Sequence, residues 1–573
     1  MTATTLPHRR GRVSRPRLAA ESVLLAAAGL IAALALAPIA ALAVIAAHGT
    51  GNLWGHLAQY VLPDALVTTA LLLAGVGTLV TVVGVGTAWL VATCRFPGRA
   101  TFEWALLLPL AVPTYIVAYA YVDVVHPLGP IPTAIRALLG LTNPRDLPLP
   151  NVRSLAGCII LLGAVLYPYV YLTARATFLV QTANAVEVAR TLGTGPAAAF
   201  FRIALPLARP AIVVGVSLAL METLNDIGAS EFLGVGTLTV AIYSTWVNQS
   251  SLAGAAQIAL VMLLVVFGLV LAERWARRRQ RFTAAGSRGR PLAPLPLSGG
   301  KAAAAFLACL TPITIGFLIP AGHLVSEAWA RIRFAGLPTE IAVEALNSAL
   351  LAGTATIVVV TLGLVAALAA RAQPRHPAGP LFLRLASVGY AIPGTVLAVG
   401  LLTPLALFDN ALNDLMLRLT GFSTGLLLSG SGVALIIAYT IRFLAISAGS
   451  VEAGATKISP HLDMAARSLG RSLGETIRAV HLPLLRPALG AAGLLVFVDC
   501  MKELPATLML RPINFETLAT HVYGEAARGT YESGAVAALL IVLVGLVPVI
   551  VLARMSRPAV TFDSRDGGSR VTS

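Results

Sequence analysis

Apolar stretches long enough to cross a lipid bilayer recur along the whole chain, and a sequence built this way has few folds open to it. A helix needs about 20 apolar residues to cross the hydrocarbon core. Such runs lie near 23–47, 65–92, 104–124, 155–180, 208–227, 252–272, 302–320, 346–370, 381–408, 424–449, 487–503 and 534–553, twelve in all. Backbone groups in lipid must find partners within the chain, so runs of this length are read as helices. Composition agrees, with 57% hydrophobic and 12% charged residues over 573 positions, about half the charge expected of a soluble domain. The chain is therefore read as an all-α polytopic membrane protein.

Its net charge of +16 would point to nucleic acid in a soluble chain, but the distribution of the charge argues otherwise. Five arginines (Arg9, Arg10, Arg12, Arg15 and Arg17) precede the first run, which at about 25 residues is too long for a secretory signal. It is read as a retained anchor with a cytoplasmic N-terminus. Alternate loops then fall inside, where span ends and loops hold 31 Lys and Arg against 8 outside. That bias is the positive-inside pattern of a membrane protein, and no nucleic-acid partner is expected. The four cysteines, Cys94, Cys158, Cys309 and Cys500, are scattered in or beside apolar runs without metal-ligand spacing, and read as packing residues.

The chain repeats itself. ARTLGTGPAAAFFRIALPLARP (189–210) matches ARSLGRSLGETIRAVHLPLLRP (466–487) without a gap at an offset of 277, including Gly193/Gly470 and Pro206/Pro483. LLAGVGT (72–78) lies against LLAGTAT (350–356), and AVPTYIVA (111–118) against AIPGTVLA (391–398). Six spans per half is an even number, so the two copies insert in parallel. The expected organisation is a cytoplasmic N-tail (1–22), a first six-span repeat (23–272), a linker rich in Arg, Gly and Pro (273–301), a second repeat (302–553) and a cytoplasmic C-tail (554–573). Pro113 and Pro393 occupy matching places in matching spans and are candidate kinks.

Each repeated segment follows the fourth span of its half, on the inner side, and reads as short helix, glycine turn, short helix and then a proline, Pro206 or Pro483, that marks the start of the next span. EVARTLG, nine residues and IALP (Glu187 to Pro206) resemble the cytoplasmic loop signature of ABC importer permeases, with Val188 the one departure. MAARSLG, nine residues and VHLP (Met464 to Pro483) keep both alanines, the glycine and the proline. Met464 replaces the acid, Asp463 lies one residue earlier, and Val480 replaces an isoleucine. The resemblance implies that these loops, through Glu187, Ala189, Gly193 and Pro206 and through Asp463, Ala465, Ala466, Gly470 and Pro483, are coupling helices docking into ATPase subunits. METLNDIGASEFLGVGTLTVAIYSTW (221–246) and VDCMKELPATLMLRP (498–512) are similar to segments of fused ferric-iron importer permeases; phosphonate, thiamine and polyamine permeases share parts of them.

Adding 277 carries Glu222 to Asp499, Asn225 to Lys502 and Asp226 to Glu503, so two acidic pairs spaced i, i+4 take equivalent positions. That spacing expects both carboxylates of a pair on one helix face. Only 12 uncharged residues separate Pro210 or Pro487, counted in, from the first acid, so each span is interrupted before it crosses. Interrupted spans at corresponding positions point to a transport site, and ionisable groups in a bilayer face water or a partner. These six residues are placed along a translocation path; the alternative has them at the span's outer mouth, or Lys502 pairing with Asp499 or Glu503 as internal glue. No metal site is expected, because an ion held too tightly cannot leave.

The chain has no phosphate-binding loop: SGGK (298–301) is followed by Ala302 and has Leu295 where the first glycine belongs. No catalytic constellation is present either. The expectation is thus a transport subunit without its own cofactor, in a bacterial inner membrane. By the same resemblance, ATP and magnesium would sit on two cytoplasmic ABC ATPase subunits, and a periplasmic binding protein would deliver the cargo, ferric iron. An ion-coupled secondary transporter, or a membrane-embedded enzyme or assembly factor, are the competing classes.

Overall fold

The computed structural model describes residues 15–51, 53–143, 147, 150–180, 183–277, 294–372 and 377–555. Most of the N-tail, the centre of the linker and nearly all of the C-tail lie outside the described residues, as do Arg145, Arg375 and the side chains of Arg190 and Arg467. Eleven helices are long and apolar enough to cross a membrane, and a bent pair, Arg99–Ala111 with Thr114–Val124, supplies a twelfth. Each of the twelve apolar runs therefore overlaps one span, although several spans reach well beyond their run. The chain is an all-α polytopic membrane protein.

Proline decides where the spans bend. The bent pair turns by 89° at Pro113. Pro113 and Pro393 have the same backbone angles, φ −57° and ψ 145°, each following a 3₁₀ turn, Leu108–Ala111 or Ser387–Ala391. A proline has no N–H for the helical ladder and disfavours helical angles in the residue before it, so the helix restarts there. Four other prolines act more gently. Pro63, Pro206, Pro320 and Pro483 each follow a π-turn (Leu57–Val61, Phe200–Ala204, Thr314–Leu318, Ile477–His481) inside a continuous helical body. The wide turn absorbs the missing hydrogen bond. Pro206 and Pro483 consequently do not begin a new span, as the sequence suggested. The short helix before each proline runs on into the span, giving Pro196–Asn225 and Leu473–Met501.

The two halves repeat the same packing. Leu62–Thr93 lies along Leu155–Val180 and Leu205–Asn225, as Thr339–Ala372 lies along Gly432–Thr456 and Leu482–Met501. The first helix of each half, however, crosses to the other half. Arg15–Ala47 packs on Thr339–Ala372, Ala378–Ala386 and Gly394–Thr420, and Ile31 belongs to a small core with Ala366, Leu383 and Leu444. The helical run through Gly299–Ile313 and Ile319–Ala335 reciprocates on the first half. Close backbone approach makes the exchange possible: a Cβ on Gly400 would meet the Pro38 carbonyl oxygen at 2.5 Å, and one on Gly316 the Ala164 carbonyl oxygen at 2.3 Å. At the end of the bundle bearing the loop helices, Cys94–Arg95 pairs in parallel with Leu295–Pro296, fastening the linker's end to the first half.

Candidate functional site

The loop helices are Ala183–Thr191 and Pro460–Ser468. Both end the same way. Gly193 (φ +82°) and Gly470 (φ +75°) adopt left-handed angles that cost a residue with a Cβ about 1–2 kcal/mol. The amides of Thr194 and Arg471 donate back to the carbonyls of Ala189 and Ala466, 2.9 and 3.0 Å away. This is a Schellman cap, and it explains why an alanine four residues before the glycine recurs: Ala189 and Ala466 lie buried at the capped turn. Outward, Leu192 and Leu469 are 80% and 81% exposed, and Val188, Phe201 and Met464 also face outward. Glu187 and Ala465 are exposed as well.

The two loops are anchored differently. Asp463 accepts from Arg371 at 2.9 Å and contacts His481 Nε2 at 2.6 Å, while Arg371 also donates to the carbonyls of Ala455 and Ile458. At the matching offset the first loop has Val186 and Ala204, both buried and apolar. Asp463 thus fastens its own helix to the bundle. Replacing it by alanine should raise amide hydrogen exchange across 460–468 at least tenfold relative to the first loop, since the ion pair and its hydrogen bonds have no substitute; unchanged protection would disprove this anchoring.

At mid-bundle, the ends of Pro196–Asn225 and Leu473–Met501 meet around one cavity with about 120 Å³ for water-sized occupants, room for several waters. These helices run for 30 and 29 residues, long enough to cross, so the expectation of spans interrupted before they cross is corrected. All six residues expected along the path line it, together with Pro113, Pro393, Tyr115, Tyr169, Tyr390 and Arg442. The expectation of paired carboxylates on one helix face is corrected here. Leu205–Asn225 ends before Asp226, and Leu482–Met501 ends before Glu503, so only Glu222 and Asp499 remain on their helices. Asp226 turns to accept from the Ser230 amide (3.1 Å) and the Thr114 hydroxyl, capping the short helix Gly228–Phe232. Glu503 accepts from the amides of Ala506 and Thr507 (3.0 and 3.1 Å) and the Thr507 hydroxyl (2.7 Å), capping Pro505–Leu510. These two acids are buried with their oxygens occupied.

The other members divide. Lys502 Nζ lies 2.8 Å from Asp499, the internal pairing that the sequence left open. Glu222 accepts from the Tyr390 hydroxyl at 3.3 Å. Asn225 Oδ1 accepts from both the Gly394 amide and Arg442 Nη1, each at 2.8 Å, and Arg442 lies 3.9 Å from Glu503. Asn225 belongs to the first half, Gly394, Arg442 and Glu503 to the second, so this group ties the halves at the cavity. Sequence reasoning missed Arg442, Tyr169 and Tyr390. A cation inside the apolar run 424–449 was a usable signal for Arg442; it lacks a repeat partner, because Val165 stands at the matching offset and lines the same cavity. The tyrosines carried no comparable mark.

Residues 84–282 match the family described as binding-protein-dependent transport system inner membrane component. The chain carries a binding-protein-dependent permease domain. It is 25% identical over 496 residues to the Fe(3+)-transport system permease protein FbpB 2 of Haemophilus influenzae, covering 86% of this chain and 90% of that one. It is also 28% identical over 204 residues to the molybdenum transport system permease protein ModB of Escherichia coli, covering 35% of this chain and 86% of that one. The permease is an ABC-type transport subunit of a binding-protein-dependent importer and a multi-pass inner-membrane protein.

Proposed function

We propose that the permease is the whole membrane channel of an importer for ferric iron, driven by two ATPase subunits that close on its two loop helices. The observation that carries the cargo assignment is the cavity's charge. Four acids, Glu222, Asp226, Asp499 and Glu503, face two bases, Arg442 and Lys502, a formal excess of two negative charges. Such a lining attracts a cation and repels an oxyanion such as molybdate or a phosphonate. Pairing Lys502 with Asp499 and fixing Asp226 and Glu503 as helix caps leaves Glu222 as the acid best able to meet cargo in passing. A carboxylate engaged by a single long hydrogen bond from the Tyr390 hydroxyl attracts without holding, as conduction requires.

The exposed leucines Leu192 and Leu469, each beyond a rigidly capped helix, support a role in docking ATPase subunits. In this reading the loop end of the bundle is cytoplasmic, as are both termini. ATP and magnesium reside on the ATPases, and a periplasmic binding protein delivers iron at the opposite end. The test is uptake into proteoliposomes holding the permease, its ATPase and its binding protein. Radiolabelled ferric iron should enter only with ATP, molybdate should not compete, and Glu222→Gln should lower uptake about tenfold while the complex stays intact. Uptake without nucleotide would overturn the coupling assignment; molybdate uptake without iron uptake would overturn the cargo.

A further inference from the structure

At the end of the bundle opposite the loop helices, a second polar cluster joins the two halves and shares no residue with the cavity. Asp123 lies in the last turn of Thr114–Val124, and His323 and Glu327 lie one turn apart on Ile319–Ala335. His323 Nε2 is 2.9 Å from Asp123 Oδ2, and Nδ1 is 3.9 Å from Glu327 Oε1. One ligand atom from each residue falls within 4.8 Å of the other two. The imidazole is nearly buried, at 6% side-chain exposure, whereas the carboxylates are 28% and 25% exposed, so the cluster opens on one side.

Its charge is not balanced by protein. Among the described residues the one cationic side chain within ion-pair distance of either carboxylate is His323 itself. With a neutral imidazole the cluster is formally −2, and with an imidazolium it is still −1. Nor does the contact between halves need these groups in order to pack. The Arg15–Ala47 helix makes the reciprocal contact and carries no ionisable residue between Val23 and Ala47. Three polar groups converging at one of two equivalent contacts call for a role beyond packing.

We propose that Asp123, His323 and Glu327 bind one divalent first-row transition-metal ion of the zinc type, which bridges the two halves. One imidazole nitrogen and two carboxylate oxygens form a donor set that such ions accept, and three protein ligands leave a coordination position toward the exposed side. Binding requires His323 to be neutral, so uptake of the ion releases any proton held there. A hard cation such as magnesium, which prefers an all-oxygen shell, is a poor fit to the buried nitrogen. This site goes beyond the transport assignment and does not depend on it.

The test uses the purified full-length permease, stripped with chelator and titrated with zinc alone, with bound metal counted after gel filtration and thermal unfolding followed in parallel. One equivalent is expected on the unmodified protein, with a higher unfolding temperature when zinc is present. Glu327→Gln and Asp123→Asn should each weaken binding at least tenfold and remove the temperature shift, and their own unfolding temperatures without zinc show whether they fold. His323→Gln should bind no zinc. No stoichiometric zinc on the unmodified protein, or equal binding by folded Glu327→Gln, overturns the proposal. Iron uptake is scored separately, so failure of the cargo assignment leaves this result readable.

Discussion

Replacing Arg442 by methionine is expected to abolish uptake and to destabilise the permease by about 3 kcal/mol, the lower end of the range for removing one partner of a buried ion pair. Arg442 is 8% exposed, and its guanidinium is the link between Asn225 of one half and Glu503 of the other. Methionine fills much of the same volume, so the effect reports charge and hydrogen bonding rather than a void. Without the cation, the cavity faces four acids with Lys502 as its single base, and the Asn225 oxygen keeps only the Gly394 amide. Arg442→Lys should recover part of the stability but less of the transport, because a compact, strongly hydrated ammonium on a flexible stem does not reproduce the fixed position from which Nη1 meets both Asn225 and Glu503. Thermal unfolding in detergent and reconstituted uptake check both. Uptake by Arg442→Met within twofold of the unmodified protein would remove the central tie from the mechanism.

The second large effect comes from the way the repeats differ. Thr114 of the first half corresponds to Gly394 of the second, and Val165 to Arg442. Thr114 uses its hydroxyl to hold Asp226. At Gly394 there is no space for that side chain. A Cβ there would lie 2.7 Å from Arg442 Nη1, 2.8 Å from Glu503 Oε1 and 3.0 Å from the Pro505 side chain. Gly394→Thr alone should therefore cost about 1–3 kcal/mol through overpacking and block transport. Combining it with Arg442→Val rebuilds the first half's arrangement in the second: the threonine hydroxyl gains access to Glu503 and the crowding guanidinium is gone. Stability of the double variant should exceed the sum of the single effects by about 1–2 kcal/mol, within the range for contacting residues. Uptake should remain lost, since the tie to Asn225 is not rebuilt. Strict additivity in thermal or chemical unfolding would disprove the exchange.

Equivalence by offset told which residues correspond, and the cavity shows that correspondence is not identity of role. Glu222 and Asp499 stayed on their helices, while Asp226 and Glu503, four residues on, left them to cap the next helix. The i, i+4 spacing that suggested one shared face could not reveal this, because it presumes a helix continuing through the second acid. The repeat made the six residues legible as a set. Which of them faces the cavity freely depends on where each backbone breaks.

What the sequence settled alone was governed by short-range physics: apolar length fixed the twelve spans, basic bias suggested their sidedness, proline and glycine marked the breaks and caps, and the offset of 277 exposed the duplication. The tertiary structure alone decided that the first helix of each half packs on the other, that Arg442 takes the space a threonine fills in its counterpart, and that Asp123 meets His323 across the join. Those outcomes depend on close approach between surfaces separated in the chain, by 200 residues for Asp123 and His323, and hydrophobic pattern says which face is buried without saying against what.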